Sequence, residues 1–448
     1  MSAHVRTFGG WRERRGFGVG SLTGPQTAAG LVMVLVALAC VMVVPAALPL
    51  LALPMVLAAA LIAVRVRGET VAGVLSRHLR WRVSVKRGAT AYDAVDTIHL
   101  PGVLADVQIH ELGHAVVWNG ARRTATLLVP IEPTGATLVE AEELRAWVGG
   151  WGDWLTHLGY VENLLHVVVT VHTQPQPALP QTSPGHGLVG EVMAELRAQT
   201  TSASLAQTVL SLTVKARDLA AACTHLDDVM AGMSALNRCG VSVLGAWTTP
   251  ELVTWVRQAF DPQTLPGPGT SLPDARPTAV REHWSRYQHD TGVSAAFMWD
   301  ECPGESMSAT ALTRLLAPAN YTKRVSLVFE PVPAHQAARE VDRQAEAAAF
   351  RSQYRRRLGR DETARERLDV EKARQTAHDQ ASGSGLVDVG LYAVATGPDE
   401  QQLEACAADL HNRAGESRIR LRRAYGAQAT CFAVTLGLGY VPLRGWSA

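Results

Sequence analysis

Apolar and polar positions alternate along this chain in two distinct regimes. From Thr27 to Val64 the sequence is almost wholly apolar, and no charged residue occurs between Gly16 and Val64. A bilayer core takes about 20 helical residues per crossing, so this run fits two tight crossings. Pro45 and Pro49 place the turn between them, and Pro54 falls in the first turns of the second helix, where proline is tolerated. One long tilted helix is the competing reading, and the three closely spaced prolines oppose it. The run is too long and too late for a cleaved signal peptide.

Beyond residue 90 the pattern changes to strand, amphipathic helix, strand, four times over. The first unit runs from Thr124–Ile131 through Val139–Leu158 to Leu165–His172, its helix marked by Leu144, Trp147, Trp151 and Leu155 at spacings of 3 and 4. The second runs from Thr208–Thr213 through Lys215–Asn237 to Val241–Trp247. The third runs from Ala295–Trp299 through Ser308–Leu316 to Arg324–Glu330, and the fourth from Val387–Ala395 through Asp399–Ala414 to Ser417–Leu421. Taken in pairs, these units predict an α+β fold of repeated β-α-β, ferredoxin-like sandwiches. Pro/Gly-rich stretches at His172–Gly187 and Asp261–Thr278 read as linkers or long loops, and Ser382–Gly385 as a hinge. A charged helical hairpin is expected at 335–380, with Phe350, Tyr354 and Leu358 as a stripe at i, i+4, i+8. The domain plan is therefore an N-terminal tail (1–26), a transmembrane hairpin (27–66), a first α+β region (67–260) and a second (279–448) carrying the helical hairpin.

Charge sharpens this division. The formal net charge is +1, but residues 1–90 hold 11 basic and 2 acidic side chains, leaving 31 basic and 39 acidic in the rest. Arg6, Arg12, Arg14 and Arg15 precede the apolar run; Arg65, Arg67, Arg77, Arg80, Arg82, Lys86 and Arg87 follow it. Because Lys and Arg stay on the cytoplasmic side, a two-pass protein of the cytoplasmic membrane is expected, with both termini and the main body cytoplasmic. Contact of the basic flanks with anionic lipid is a further expectation. The acidic balance of the body argues against a nucleic-acid partner. Six cysteines without a C-x-x-C pair read as free thiols, with neither a disulfide framework nor a zinc ribbon.

One motif carries possible chemistry. His110-Glu111-Leu112-Gly113-His114 matches H-E-x-x-H, in which two histidines on one helix face bind zinc and the glutamate acts as general base. The other reading is a β-hairpin: Asn119-Gly120 is a strong hairpin-turn signal between runs rich in β-branched residues, and Gly113 weakens a helix. No third metal ligand at a known spacing follows. None of Lys86, Lys215, Lys323 and Lys372 follows a glycine, so a phosphate-binding P-loop is excluded, and no G-x-S-x-G elbow occurs.

Several blocks, taken in order, resemble actinobacterial membrane proteins of conjugation and secretion machinery. They are similar to EccE-type components of type VII secretion and to the non-ATPase N-terminal region of TraC/TrbE-type conjugation ATPases. These blocks are Thr7–Thr27, Leu100–Leu104, Val148–Leu158, Arg324–Pro333 and Arg420–Gly439. The resemblance implies a membrane-anchored structural subunit without cofactor or catalytic residues. Its implied partners are a separate motor ATPase and small membrane subunits of the same type VII or type IV-like apparatus; self-association is also expected. Phe350, Tyr354, Leu358, Tyr425 and Gln428 are the docking candidates. The alternative function is a membrane-tethered zinc protease using His110, Glu111 and His114.

Overall fold

The structure is a computed structural model that describes residues 65–66, 69–95, 98–135, 139–175, 204–263, 271–301, 311–357 and 385–442, with a few isolated positions between them. A two-stranded hairpin, β1 (Arg65–Val66) and β2 (Glu69–Thr70), leads into helix α1 (Val71–Lys86). The remaining strands are β3 (Ala91–Asp93), β4 (Val107–Glu111), β5 (Ala115–Asn119), β6 (Thr124–Pro133), β7 (Leu164–Pro175), β8 (Ser204–Lys215), β9 (Val241–Val243), β10 (Ala279–Glu282), β11 (Tyr287–His289), β12 (Gly292–Glu301), β13 (Thr322–Pro331), β14 (Val387–Gly397) and β15 (Arg420–Arg423). Helices α2 (Ala141–Leu158), α3 (Leu219–Ala231), α4 (Thr249–Phe260), α5 (Leu272–Ala275), α6 (Thr313–Leu316), α7 (Ala334–Arg357), α8 (Glu400–Glu416) and α9 (Gln428–Leu436) lie between and after them.

The strands from β3 onward form one 13-stranded sheet in the order β3-β10-β11-β12-β14-β13-β7-β8-β6-β5-β4, with β15 beside β12 and β9 beside β6. Each strand pair in it is antiparallel. The order contains the same plan twice. In the first half β8 flanks one side of β6, while β5 and β9 share the other, and β7 lies beyond β8. In the second half β14 flanks one side of β12, while β11 and β15 share the other, and β13 lies beyond β14. An outer strand completes each hairpin, β4 on β5 and β10 on β11. A helix follows the last strand of each half, α4 after β9 and α9 after β15. The halves join edge to edge where β7 meets β13, from Thr173 opposite Lys323 to Val167 opposite Phe329.

Central strands are covered on both faces, which is why they read as continuous apolar runs. On one face α2 and α3 bury Leu155, Leu158, Leu226 and Val229 in the first half, while α6 and α8 bury Leu315, Leu403 and Leu410 in the second. On the other face α4 and α9 supply Trp255, Phe260, Phe432 and Leu436. The Asp261–Thr278 segment is tied down where it is described. Arg257 of α4 pairs with Asp261 at 2.7 Å and Asp290 at 3.0 Å, and donates to the Arg276 carbonyl at 2.7 Å.

Two expectations are corrected. The fold class is not a series of β-α-β, ferredoxin-like units behind a membrane hairpin: the strands merge into one antiparallel sheet. One antiparallel strand lies between the two strands of each expected unit, β8 between β6 and β7, β6 between β8 and β9, β14 between β12 and β13, and β12 between β14 and β15, and the β7–β13 pairing carries the same sheet on from one region into the other. The two-pass membrane location is corrected too, since no helix among the described residues is long and apolar enough to cross a membrane. The expected hairpin at 27–66 and the tail at 1–26 lie outside the described residues, apart from Val32, Arg65 and Val66. Helix α7 occupies the start of the expected 335–380 hairpin; Leu358 and the side chains of Phe350 and Tyr354 are outside the description.

Candidate functional site

The H-E-L-G-H segment is not helical. Residues 107–111 form β4, the chain turns at Leu112–His114, and β5 returns from Ala115. Leu112 N–H donates to the His114 carbonyl at 3.0 Å, and Gly113 adopts φ +84°, a conformation that favours glycine. The helical face that would present both histidines to one metal is therefore absent. Glu111 has a different task. Its carboxylate accepts from Thr249 N–H at 2.9 Å and from the Thr249 hydroxyl, at the start of α4. Beside it Glu251 accepts from Thr248 N–H at 2.8 Å, closing a capping box. Among the described residues no group of three His, Cys, Asp or Glu side chains is placed to hold a metal ion.

The second half repeats this arrangement. Glu282, at the end of β10, accepts from Ala429 N–H at 3.0 Å in the first turn of α9. Burial pushes its carboxyl pKa up, while the Ala429 and Gln428 amides oppose that shift. Each outer hairpin thus sends one carboxylate to the positive end of its half's closing helix.

Beneath α4 and α9 the sheet carries a row of buried hydroxyls. Thr126 and Thr213 bond at 2.9 Å, Thr170 and Ser326 at 2.7 Å across the seam, and Ser294 and Thr396 at 2.8 Å. His289 bonds Ser294 at 2.8 Å through Nε2 and the Phe260 carbonyl at 2.6 Å through Nδ1. This resembles a nucleophile–base pair, but both side chains are buried, and the chain of bonds fastens α4 to β11, β12 and β14. Arg324, 1% exposed, donates through Nε to the Thr435 hydroxyl at 3.2 Å and lies over the Phe432 ring. Its two terminal nitrogens have no hydrogen-bond partner among the described residues. Burial lowers its pKa to about 9. Burial, reinforced by Arg324, lowers His172 to about 3; burial also takes His289 to about 4. These imidazoles are therefore neutral in the fold at pH 7.

Gln428 is not a docking residue. It is fully buried, its Oε1 accepting from Ala296 N–H at 2.8 Å and its Nε2 donating to Ala424 O at 2.7 Å. Tyr425 is half-buried and stacks on Trp284 with ring centres 6.1 Å apart. Trp284 in turn meets Trp81 at 5.4 Å and His78 at 5.0 Å, edge to face. Gly426, at φ +70°, sits so close to Trp284 that a Cβ would overlap the indole. This aromatic ladder ties α1 to the sheet.

Sequence reasoning missed α1 as a surface. Leu75, Leu79 and Val83 are exposed along it at i, i+4, i+8. That spacing is legible in the sequence, but the neighbouring arginines read there as a topology signal and a lipid contact of the flanks, without pointing to a helix that carries an apolar stripe. A shallow depression of about 290 Å³ beside α4, floored by Trp247 and Trp255, presents Gln207 and Gln258 and no cation. The candidate site is therefore an exposed surface: α1, its aromatic ladder and the adjoining rim of the sheet. No family model matches the chain, and no curated protein matches it.

Proposed function

We propose that this chain is a structural subunit of a secretion or conjugative DNA-transfer apparatus, which docks a separate motor ATPase and small subunits of the same machine. The unbroken sheet carries the reading. Strands from β3 to β4 are hydrogen-bonded without interruption across both halves, so load applied at one edge reaches the other through backbone bonds. The side chains with most chemical potential are occupied in holding that platform together: Glu111 caps α4, His289 and Ser294 fasten α4 to the sheet, and Gln428 satisfies the backbone at Ala296.

The test is gentle purification of the tagged full-length chain from its native host, with quantification of what accompanies it. A motor ATPase at fixed stoichiometry is the expected result. A chain that purifies alone, carries stoichiometric zinc and cleaves peptides in a Glu111-dependent manner would overturn the reading.

A further inference from the structure

Helix α1 concentrates exposed apolar surface as no other described element does. Of the 13 large apolar side chains exposed among the described residues, five lie on this helix: Val74, Leu75, Leu79, Val83 and Val85. Leu79 alone is 53% exposed. At about 100° per residue, Leu75, Leu79 and Val83 share an arc of about 80°. His78 and Trp81 point to a different side, where Trp284 holds them. The docked side and the apolar stripe are thus separate, and fastening α1 to the body leaves the stripe uncovered.

The charge along the helix sequence has one sign. Residues 71–87 contain Arg77, Arg80, Arg82, Lys86 and Arg87 and no acidic side chain. On the helix projection Arg82 falls about 20° outside Leu75 and Arg87 about 40° beyond Val83, so a cation borders the stripe on each side, while Lys86 falls between Leu75 and Leu79 at the C-terminal end of the stripe. All three are exposed. Their long aliphatic stems can lie along apolar surface while the charged heads reach outward.

We propose that α1 binds an anionic lipid surface, lying in the plane of the interface. Leu75, Leu79 and Val83 enter the boundary of the acyl chains, and Arg82, Lys86 and Arg87 meet the phosphates. This contact involves no crossing of the bilayer and does not depend on the motor-docking reading. The one-signed, unbroken charge fits a field of lipid phosphates better than a protein surface, where charges of both signs are usual.

The test uses the full-length chain with two vesicle types, pure phosphatidylcholine and phosphatidylcholine with about 30 mol% phosphatidylglycerol, at about 0.1 M and 0.5 M salt. At low salt the anionic vesicles are expected to bind at least about tenfold more tightly, and the preference is expected to collapse at high salt. A variant combining Arg82→Gln, Lys86→Gln and Arg87→Gln removes exposed charges only and is expected to keep the wild-type circular dichroism. It should lose the preference, at roughly fivefold per cation. Equal binding of the wild type to both vesicles overturns the proposal, as does a preference that survives in the variant. A variant that keeps its vesicle preference but no longer co-purifies the motor ATPase also overturns it, and makes α1 a protein dock. Loss of vesicle preference with the motor still bound supports the lipid contact and leaves the docking reading intact.

Discussion

The two halves of the sheet share a strand plan but cover it differently. In the first half the face under α2 and α3 is roofed by a helix of 18 residues, α2. At the corresponding place the second half has α6, a single turn of four residues. The buried Lys323 ammonium helps to close that thin roof, donating to the Leu315 and Ala317 carbonyls at 2.7 and 2.5 Å. On the opposite face the imbalance reverses. Helix α4 keeps a partly exposed outer side, whereas α9 is buried from Cys431 to Leu436. Each half also lends a helix to its neighbour. Trp151 of α2 crosses the seam to pack on Phe329 of β13 at 5.7 Å, and Val434 of α9 packs on both Val168 and Val328. The difference between the halves is thus a mutual loan of cover, and neither half encloses its own core.

That comparison yields a graded set of tests. The largest effect concerns acid. His166, His172 and His289 are buried, with pKa values lowered to about 4, 3 and 4 chiefly by burial. A depressed histidine pKa stabilises the fold above the unfolded value of about 6.5, and that stability is lost as pH falls toward the folded value. Near pH 5 three such groups give a slope of about 4 kcal/mol per pH unit. Urea titrations between pH 7 and pH 5 should show it, flattened in a His289→Gln variant; a flat profile in the wild type would mean that these rings are hydrated.

Next comes the shared roof. Phe432→Ala is expected to cost about 3–5 kcal/mol. Because α9 spans both halves, tryptophans of the first half, such as Trp154, and those of the second, such as Trp299, should report a single denaturation midpoint. Two separated midpoints would show that the halves are independent.

A smaller effect separates the two capping carboxylates. Glu111→Gln should weaken the start of α4 by about 1 kcal/mol at pH 7. Glu282→Gln should cost less, because burial already disfavours its charged form. A raised carboxyl pKa favours the fold at low pH, and that contribution fades as pH rises through the folded value. The wild type should therefore lose this component toward neutral pH, whereas Glu282→Gln should not. Equal costs at pH 7, by thermal unfolding, would erase the distinction. Smallest is Leu79→Ser, expected to change stability by less than about 0.5 kcal/mol, since the side chain packs on little. A larger loss would place the α1 stripe against the body.

Much of the element list was legible in the chain. The Trp147/Trp151/Leu155 spacing marked α2, and the Val- and Leu-rich runs marked β7, β8, β13 and β14. Asn119-Gly120 marked the turn between β5 and β6, where Asn119 Oδ1 accepts from Arg122 N–H at 2.9 Å. The sheet order was not legible, because it depends on partners far apart in sequence, such as Thr170 and Ser326 at the seam. An apolar run alternating on both faces fits many neighbours equally well, and only the whole set of registers selects one. Gln428 misled for a related reason: a polar residue at a helix start reads as exposed unless the strand whose backbone it satisfies is known. For Glu111 the signal lay in Thr248-Thr249-Pro250-Glu251, a helix start that needs an acceptor from elsewhere.

The seam also sets a timetable for synthesis. Beyond α9, Gly437 and Gly439 pass so close to Ser211 and Thr126 that a Cβ at either would overlap a hydroxyl. The surface they seal belongs to strands translated more than 200 residues earlier. Until that late segment leaves the ribosome, the part of β6 and β8 around Thr126 and Ser211 that it seals stays open to water, although α4 already covers its share of that face, and β7 lacks its neighbour until β13 emerges. The nascent chain therefore exposes adhesive surface through most of its translation, a window in which chaperone holding and a partner's early arrival compete with self-association.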